Sequence, residues 1–122
     1  MELWMKPENV LSTNWHFVVL TDFAPYKPTL MPDDDPTEFQ YYFDTTGKRA
    51  CYVAPERFAP KELIAKAGNG IDRNAELKPS MDVFSLGCTI AEVFLDCKTP
   101  LLDLPGMLSY LEVGAGSDSG AC

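Results

Sequence analysis

The stretch Lys78-Pro79-Ser80-Met81-Asp82-Val83-Phe84-Ser85-Leu86-Gly87-Cys88-Thr89-Ile90-Ala91-Glu92-Val93-Phe94 constrains the chain most. Val83, Leu86, Gly87, Ile90, Ala91 and Phe94 recur at helical spacing and form one apolar face. Phe84, Cys88 and Val93 extend apolar surface round the cylinder, so the helix is expected to be buried at the centre of a domain. Ser80 is the expected N-cap, because its hydroxyl can accept an orphan first-turn amide, and Pro79 bars an earlier turn. Asp82 and Ser85 fall in the first turns, where the helix dipole favours a carboxylate. Asp82 is expected to accept amides from the loop of residues 6–9.

With 122 residues there is room for one small domain with a modest core. A net charge of −8 argues against a nucleic-acid partner and against a basic membrane patch. The apolar helix is interrupted by Glu92 and is too short to span a bilayer, so no membrane insertion is expected. Lys6-Pro7-Glu8-Asn9 stands where a signal peptide would need apolar residues. Cys51, Cys88, Cys97 and Cys122 show no C-x-x-C spacing and read as reduced thiols of a cytosolic chain.

Val10-Leu11 and residues 17–20 read as a hairpin joined by Ser12-Thr13-Asn14, with Trp15 and His16 opening the second strand. His16, the one histidine, reads as a strand-end residue rather than a ligand. Residues 24–52 read as a long irregular loop, with Asp33-Asp34-Asp35 solvated and Phe39, Tyr41, Tyr42 and Phe43 docking on the domain or a partner. A short helix is expected over 60–67, ended by Gly68-Asn69-Gly70, then a polar connector over 71–77 and a second apolar segment over 101–113. Residues 114–122 read as a flexible Gly/Ser-rich tail, leaving a domain of 1–113 that is mainly α with a small β-hairpin.

Lys6-Pro7-Glu8-Asn9 directly precedes the first strand and Asp22-Phe23-Ala24 directly follows the second. A hairpin would bring Asn9 and Asp22 to the same end, where an amide oxygen and a carboxylate suit Mg²⁺. The bland alternative is that Asn9 caps a loop and Asp22 a turn.

The order of these segments resembles the C-terminal lobe of protein kinases. Lys6-Pro7-Glu8-Asn9 looks like the second half of the catalytic loop, Asp22-Phe23-Ala24 like Asp-Phe-Gly, and Ala54-Pro55-Glu56 like Ala-Pro-Glu. The stretch from Asp82 to Gly87 looks like the start of the lobe's large central helix. Tyr26-Lys27-Pro28-Thr29, Tyr41-Tyr42-Phe43-Asp44-Thr45 and Cys51-Tyr52-Val53 narrow the resemblance to the kinase-like regulatory subunits of class III phosphatidylinositol 3-kinase complexes. The resemblance implies an incomplete C-terminal lobe and a family classed as serine/threonine kinase, using ATP or another purine nucleotide with Mg²⁺. It implies Asn9 and Asp22 as metal and nucleotide ligands, Lys6 near the transferred phosphate, and structural roles for Glu56 and Asp82. The implied partner is the class III lipid kinase catalytic subunit, on the cytosolic face of endosomal and autophagic membranes, in vacuolar sorting and autophagy.

Two departures bear on activity. Kinases place the proton-accepting Asp five residues before the metal-binding Asn, and here that position is Trp4, which offers no acceptor. The Gly-rich loop and nucleotide-binding Lys belong to an N-terminal lobe that this sequence lacks, so a catalytically inactive fragment is expected. Glu56 is then expected to be a buried carboxylate without its arginine partner. The alternatives are an active serine/threonine kinase whose N-terminal part lies outside this sequence, and a non-enzymatic interaction module using residues 33–43.

Overall fold

Val10 faces Leu20, Leu11 faces Val19 and Ser12 faces Val18 in the computed structural model, which describes residues 2–3, 5–21, 23–24, 27–66, 76–96 and 98–117. This is the expected hairpin, made by β2 (Val10–Ser12) and β3 (Val18–Leu20). Its turn lies later than the sequence suggests. Thr13 N–H donates to Phe17 O and His16 N–H to Thr13 O, both at 2.9 Å, and His16 adopts φ 63°. Trp15 and His16 therefore belong to the turn rather than to the strand. Two further antiparallel pairs of residues join β1 (Glu2–Leu3) to β4 (Phe23–Ala24), and β5 (Met31–Pro32) runs parallel to β6 (Phe58–Ala59).

The long loop holds a helix, α1 (Pro36–Tyr42). Asp35 caps it, its carboxylate accepting Thr37 N–H at 3.0 Å, and Pro36 occupies the first helical position, where no amide is needed. Phe39 and Phe43 point inward, stacked with centroids 5.9 Å apart, and Phe39 meets Phe58 at 6.4 Å. Phe39 and Phe43 thus dock on the domain itself, Tyr42 is half-buried, and Tyr41 is 75% exposed. Asp34 is exposed as expected, while Asp33 and Asp35 are half-buried.

The short helix is α2 (Lys61–Lys66); Gly68-Asn69-Gly70 and most of the connector lie outside the described residues. The last helix, α4 (Leu104–Ser117), runs through Gly114 into the stretch expected as a tail. Asp103 caps its start, accepting Gly106 N–H at 2.8 Å, and a Cβ at Gly106 would lie 2.9 Å from that same oxygen.

The core is formed by Met31, Phe39, Phe43, Cys51, Val53, Phe58 and Met107, with Leu102, Leu104, Leu108 and Leu111 packed against it. It lies between α1, α4 and residues 51–53. This displaces α3 (Pro79–Leu95) from the centre assigned to it by sequence. Met81, Ser85, Cys88 and Thr89 form its buried strip, whereas Val83, Leu86, Ile90, Val93 and Phe94 are exposed, Val83 by 67% and Phe94 by 83%. The expected apolar face is thus the outer one, because the neighbours present touch the polar-tinged strip instead. The helix also begins two residues early: Pro79 is its first residue, Lys78 is the N-cap position without a side-chain bond, and Ser80 lies inside the first turn.

Candidate functional site

Pro7 fixes the backbone of a 3-10 turn, Pro7–Asn9, at the open end of the hairpin. Asn9 N–H donates to Lys6 O at 2.9 Å and closes the turn. The register then places Thr21 opposite Asn9. Thr21 N–H donates to Asn9 O at 2.9 Å, and its hydroxyl donates to the same carbonyl at 3.3 Å. Asn9 is 6% exposed and Lys6 half-buried. The turn packs against α3. The hairpin therefore does return the chain to Asn9 immediately before Asp22, while Asp22 and Trp4 themselves lie outside the described residues.

Among the described residues, no group of three His, Cys, Asp or Glu side chains could hold a metal ion. The side chain of Asn9 carries a hard amide oxygen, a type that Mg²⁺ accepts when phosphate and water complete its shell.

Glu8 lies beside Asn9 on the same turn and pairs with Lys48, Oε1 to Nζ at 2.9 Å. Burial pushes its carboxyl up, but the bond from Lys48, its own backbone amide and the charges of Lys48 and Lys6 outweigh that and hold it below the usual range.

Asp82 is exposed, and among the described residues no hydrogen bond joins it to residues 6–9. The expected dock of Asp82 onto that loop is not made, because its position on α3 turns away from the buried strip. The polar residue on that strip is Ser85, whose hydroxyl donates to Tyr52 O at 2.5 Å and is also within 3.2 Å of Met81 O. Tyr52, fully buried, donates its phenol to Glu92 Oε2 and accepts Leu101 N–H at 3.0 Å. Ser85, Tyr52 and Glu92 thus pin residues 51–53 along α3. Burial, then the bond to Glu92, hold the Tyr52 phenol above its ordinary range.

Glu56 is exposed, so the expected buried carboxylate is absent. Its turn, Pro55–Arg57, presents the next residue inward instead. Arg57 is 5% exposed, donates Nε to Thr29 O at 3.1 Å and a terminal N–H to Pro28 O at 2.9 Å, and lies 5.1 Å over the Phe43 ring. Nothing in the sequence marked Arg57, since an arginine after Pro-Glu reads as solvated until a ring and two carbonyls are found around it. Cys51 and Cys88 are buried free thiols, as expected, and burial pushes Cys51 up to about 12. No helix among the described residues is long and apolar enough to cross a membrane.

No protein-family profile matches the chain. Individual proteins do. The probable serine/threonine-protein kinase vps15 of Dictyostelium discoideum is 52% identical over 106 residues, which is 87% of this chain and 5% of that protein. Serine/threonine-protein kinase VPS15 of Arabidopsis thaliana is 48% identical over 106 residues, 87% of this chain and 7% of that protein. The vps15 of Schizosaccharomyces pombe is 41% identical over 111 residues, 91% of this chain and 6% of that protein. The chain thus spans 5–7% of the length of these curated relatives. At this identity, sustained over 87–91% of its length, the chain is vps15-like: it matches a segment of the proteins named vps15 serine/threonine-protein kinase.

Proposed function

We propose that the chain is part of the C-terminal lobe of a kinase-like regulatory subunit that works with the class III phosphatidylinositol 3-kinase in endosomal and vacuolar sorting and in autophagy. The observation that supports this reading is the return of the hairpin: Thr21 bonds Asn9, so the residue preceding the Asp22-Phe23-Ala24 motif in the sequence lies at the Lys6–Asn9 turn, and a kinase metal site needs the two motifs close together. The homologous proteins' names support the kinase part of it. The regulatory part rests on the resemblance and on α3, whose apolar outer face suits burial against a larger assembly.

In this reading Asn9 and Asp22 hold Mg²⁺ with ATP or another purine nucleotide, and Lys6 lies by the terminal phosphate. When bound, the metal neutralises charge on the phosphates. The donor set fits: an amide oxygen and a carboxylate are hard ligands. The chain itself does not transfer phosphate, because Trp4 stands where the proton acceptor is needed and has none to offer. It acts at the cytosolic face of endosomal and autophagic membranes through its complex.

The experiment is twofold. The chain is incubated with radiolabelled ATP, Mg²⁺ and a generic protein substrate, where transfer above a protein-free blank overturns the inactive reading. The purified class III lipid kinase catalytic subunit is then titrated with the chain. Saturable binding supports the regulatory reading, and its absence at concentrations well above those of a working complex overturns it.

A further inference from the structure

Residues 44–50 form a loop tightened by its own bonds. Gly47, at φ 67°, donates its amide to Asp44 O at 3.2 Å, and Arg49, at φ 63°, donates to Asp44 Oδ1 at 3.1 Å. Just beyond, Ala50 bridges to Asp103 and Cys51 N–H donates to Leu102 O at 2.8 Å, so the C-terminal side of the loop is anchored. Lys48 projects from this loop and its Nζ reaches Glu8 Oε1 at 2.9 Å, on the turn that carries Asn9. The other carboxylate oxygen of Glu8, Oε2, is buried and has no hydrogen-bond partner among the described residues. Lys48 is therefore the side chain bonded to this carboxylate, with the charge of Lys6 adding to it.

We infer that the Lys48–Glu8 pair is a strap: it holds the 44–50 loop against the Asn9 turn, and its release opens the cleft between them. The cleft is about 300 Å³, and Glu92 and Lys98 share its wall with the pair. The charge of Glu92 acts on Lys48 in the same sense as that of Glu8. The bond to Glu8, then the charges of Glu8 and Glu92, hold the Lys48 ammonium above its ordinary range. Lys48 remains 61% exposed, so the pair works in contact with water. Such pairs are weak and screened by salt, which is what a reversible strap needs and a permanent brace does not. The inference requires neither nucleotide nor lipid kinase, so it stands or falls apart from the proposed function.

Amide hydrogen exchange on the full chain tests it, read at residues 44–50 and at residues 7–10. Lys48→Gln is expected to speed exchange about three- to five-fold in both segments. Glu8→Gln should do the same, and the double variant should add nothing to either. Raising salt should speed exchange in the parent chain and leave Lys48→Gln unchanged. A response confined to one segment, additive single effects, or equal salt dependence of parent and Lys48→Gln would each overturn the strap. If Glu8→Gln does not fold, the salt comparison between the parent and Lys48→Gln decides alone.

Discussion

Two regions of this molecule have similar apolar content and opposite fates. Residues 51–58, with α1 and α4, bury Cys51, Tyr52, Val53, Phe58, Phe39 and Met107 almost completely. The hairpin and the outer face of α3 leave Trp15, Phe17, Val18, Val83, Val93 and Phe94 in water, Trp15 by 83%. The two regions differ in having something to pack against, since α1 and α4 close over one and no described element covers the other. Amphipathic spacing says which residues can share a face, and the neighbours decide which face is buried.

The sharpest way to break this comparison is to remove one aromatic from each side. Phe39→Ala should cost about 3–5 kcal/mol in a urea melt, because it empties the space between Phe43 and Phe58. Phe94→Ala should stay within about 0.5 kcal/mol of the parent. Equal losses would show that α3 is covered in solution.

Alkali separates the regions next. The Cys51 thiol is raised from 9.0 to about 12 in the fold, so its contribution is fully present below pH 9 and is lost as pH rises towards about 12. The loss steepens to about 1.4 kcal/mol per pH unit in that window. The raised Tyr52 phenol adds to it above about pH 10. Melts of the parent and Cys51→Val between pH 8 and 11 should diverge, the variant falling less steeply. Parallel slopes would mean that Cys51 is wet.

Arg57→Met should follow at about 2 kcal/mol, since it strands the Pro28 and Thr29 carbonyls while keeping an apolar stem over Phe43. Asp35→Ala should cost about 1 kcal/mol through the lost cap of α1. Gly87→Ala runs the other way. A Cβ at Gly87 meets nothing within 4 Å, so alanine should stabilise α3 by about 0.5–1 kcal/mol. Destabilisation by Gly87→Ala would again place a neighbour on that face.

Much of the layout was legible from local pattern. Two short apolar runs joined by a polar turn marked β2 and β3, Pro60 and the residues after it marked α2, and helical spacing marked α3 and the body of α4. Missing α1 was avoidable: Asp35-Pro36 is a cap followed by a first-turn proline, but the surrounding prolines and acidic run read more strongly as loop. Of the site, Asn9 and its meeting with the end of β3 were legible, because hairpin closure follows from two short strands. Asp82 and Glu56 were misplaced because each depends on how an element is rotated about its own axis, and Ser80 because Pro79 itself starts the helix.

Sequence by itself determined that this chain makes a hairpin and amphipathic helices, and that it is similar to a segment of the vps15 kinases, since all of these follow from nearby residues or from identity along the chain. Only the tertiary structure decided that Arg57 rather than Glu56 turns inward, that Lys48 reaches the Asn9 turn, and that α3 faces outward with its most apolar side. The physical reason is that burial and charge pairing are set by distant groups arriving in register: a guanidinium is stable inside only where two carbonyls and a ring meet it.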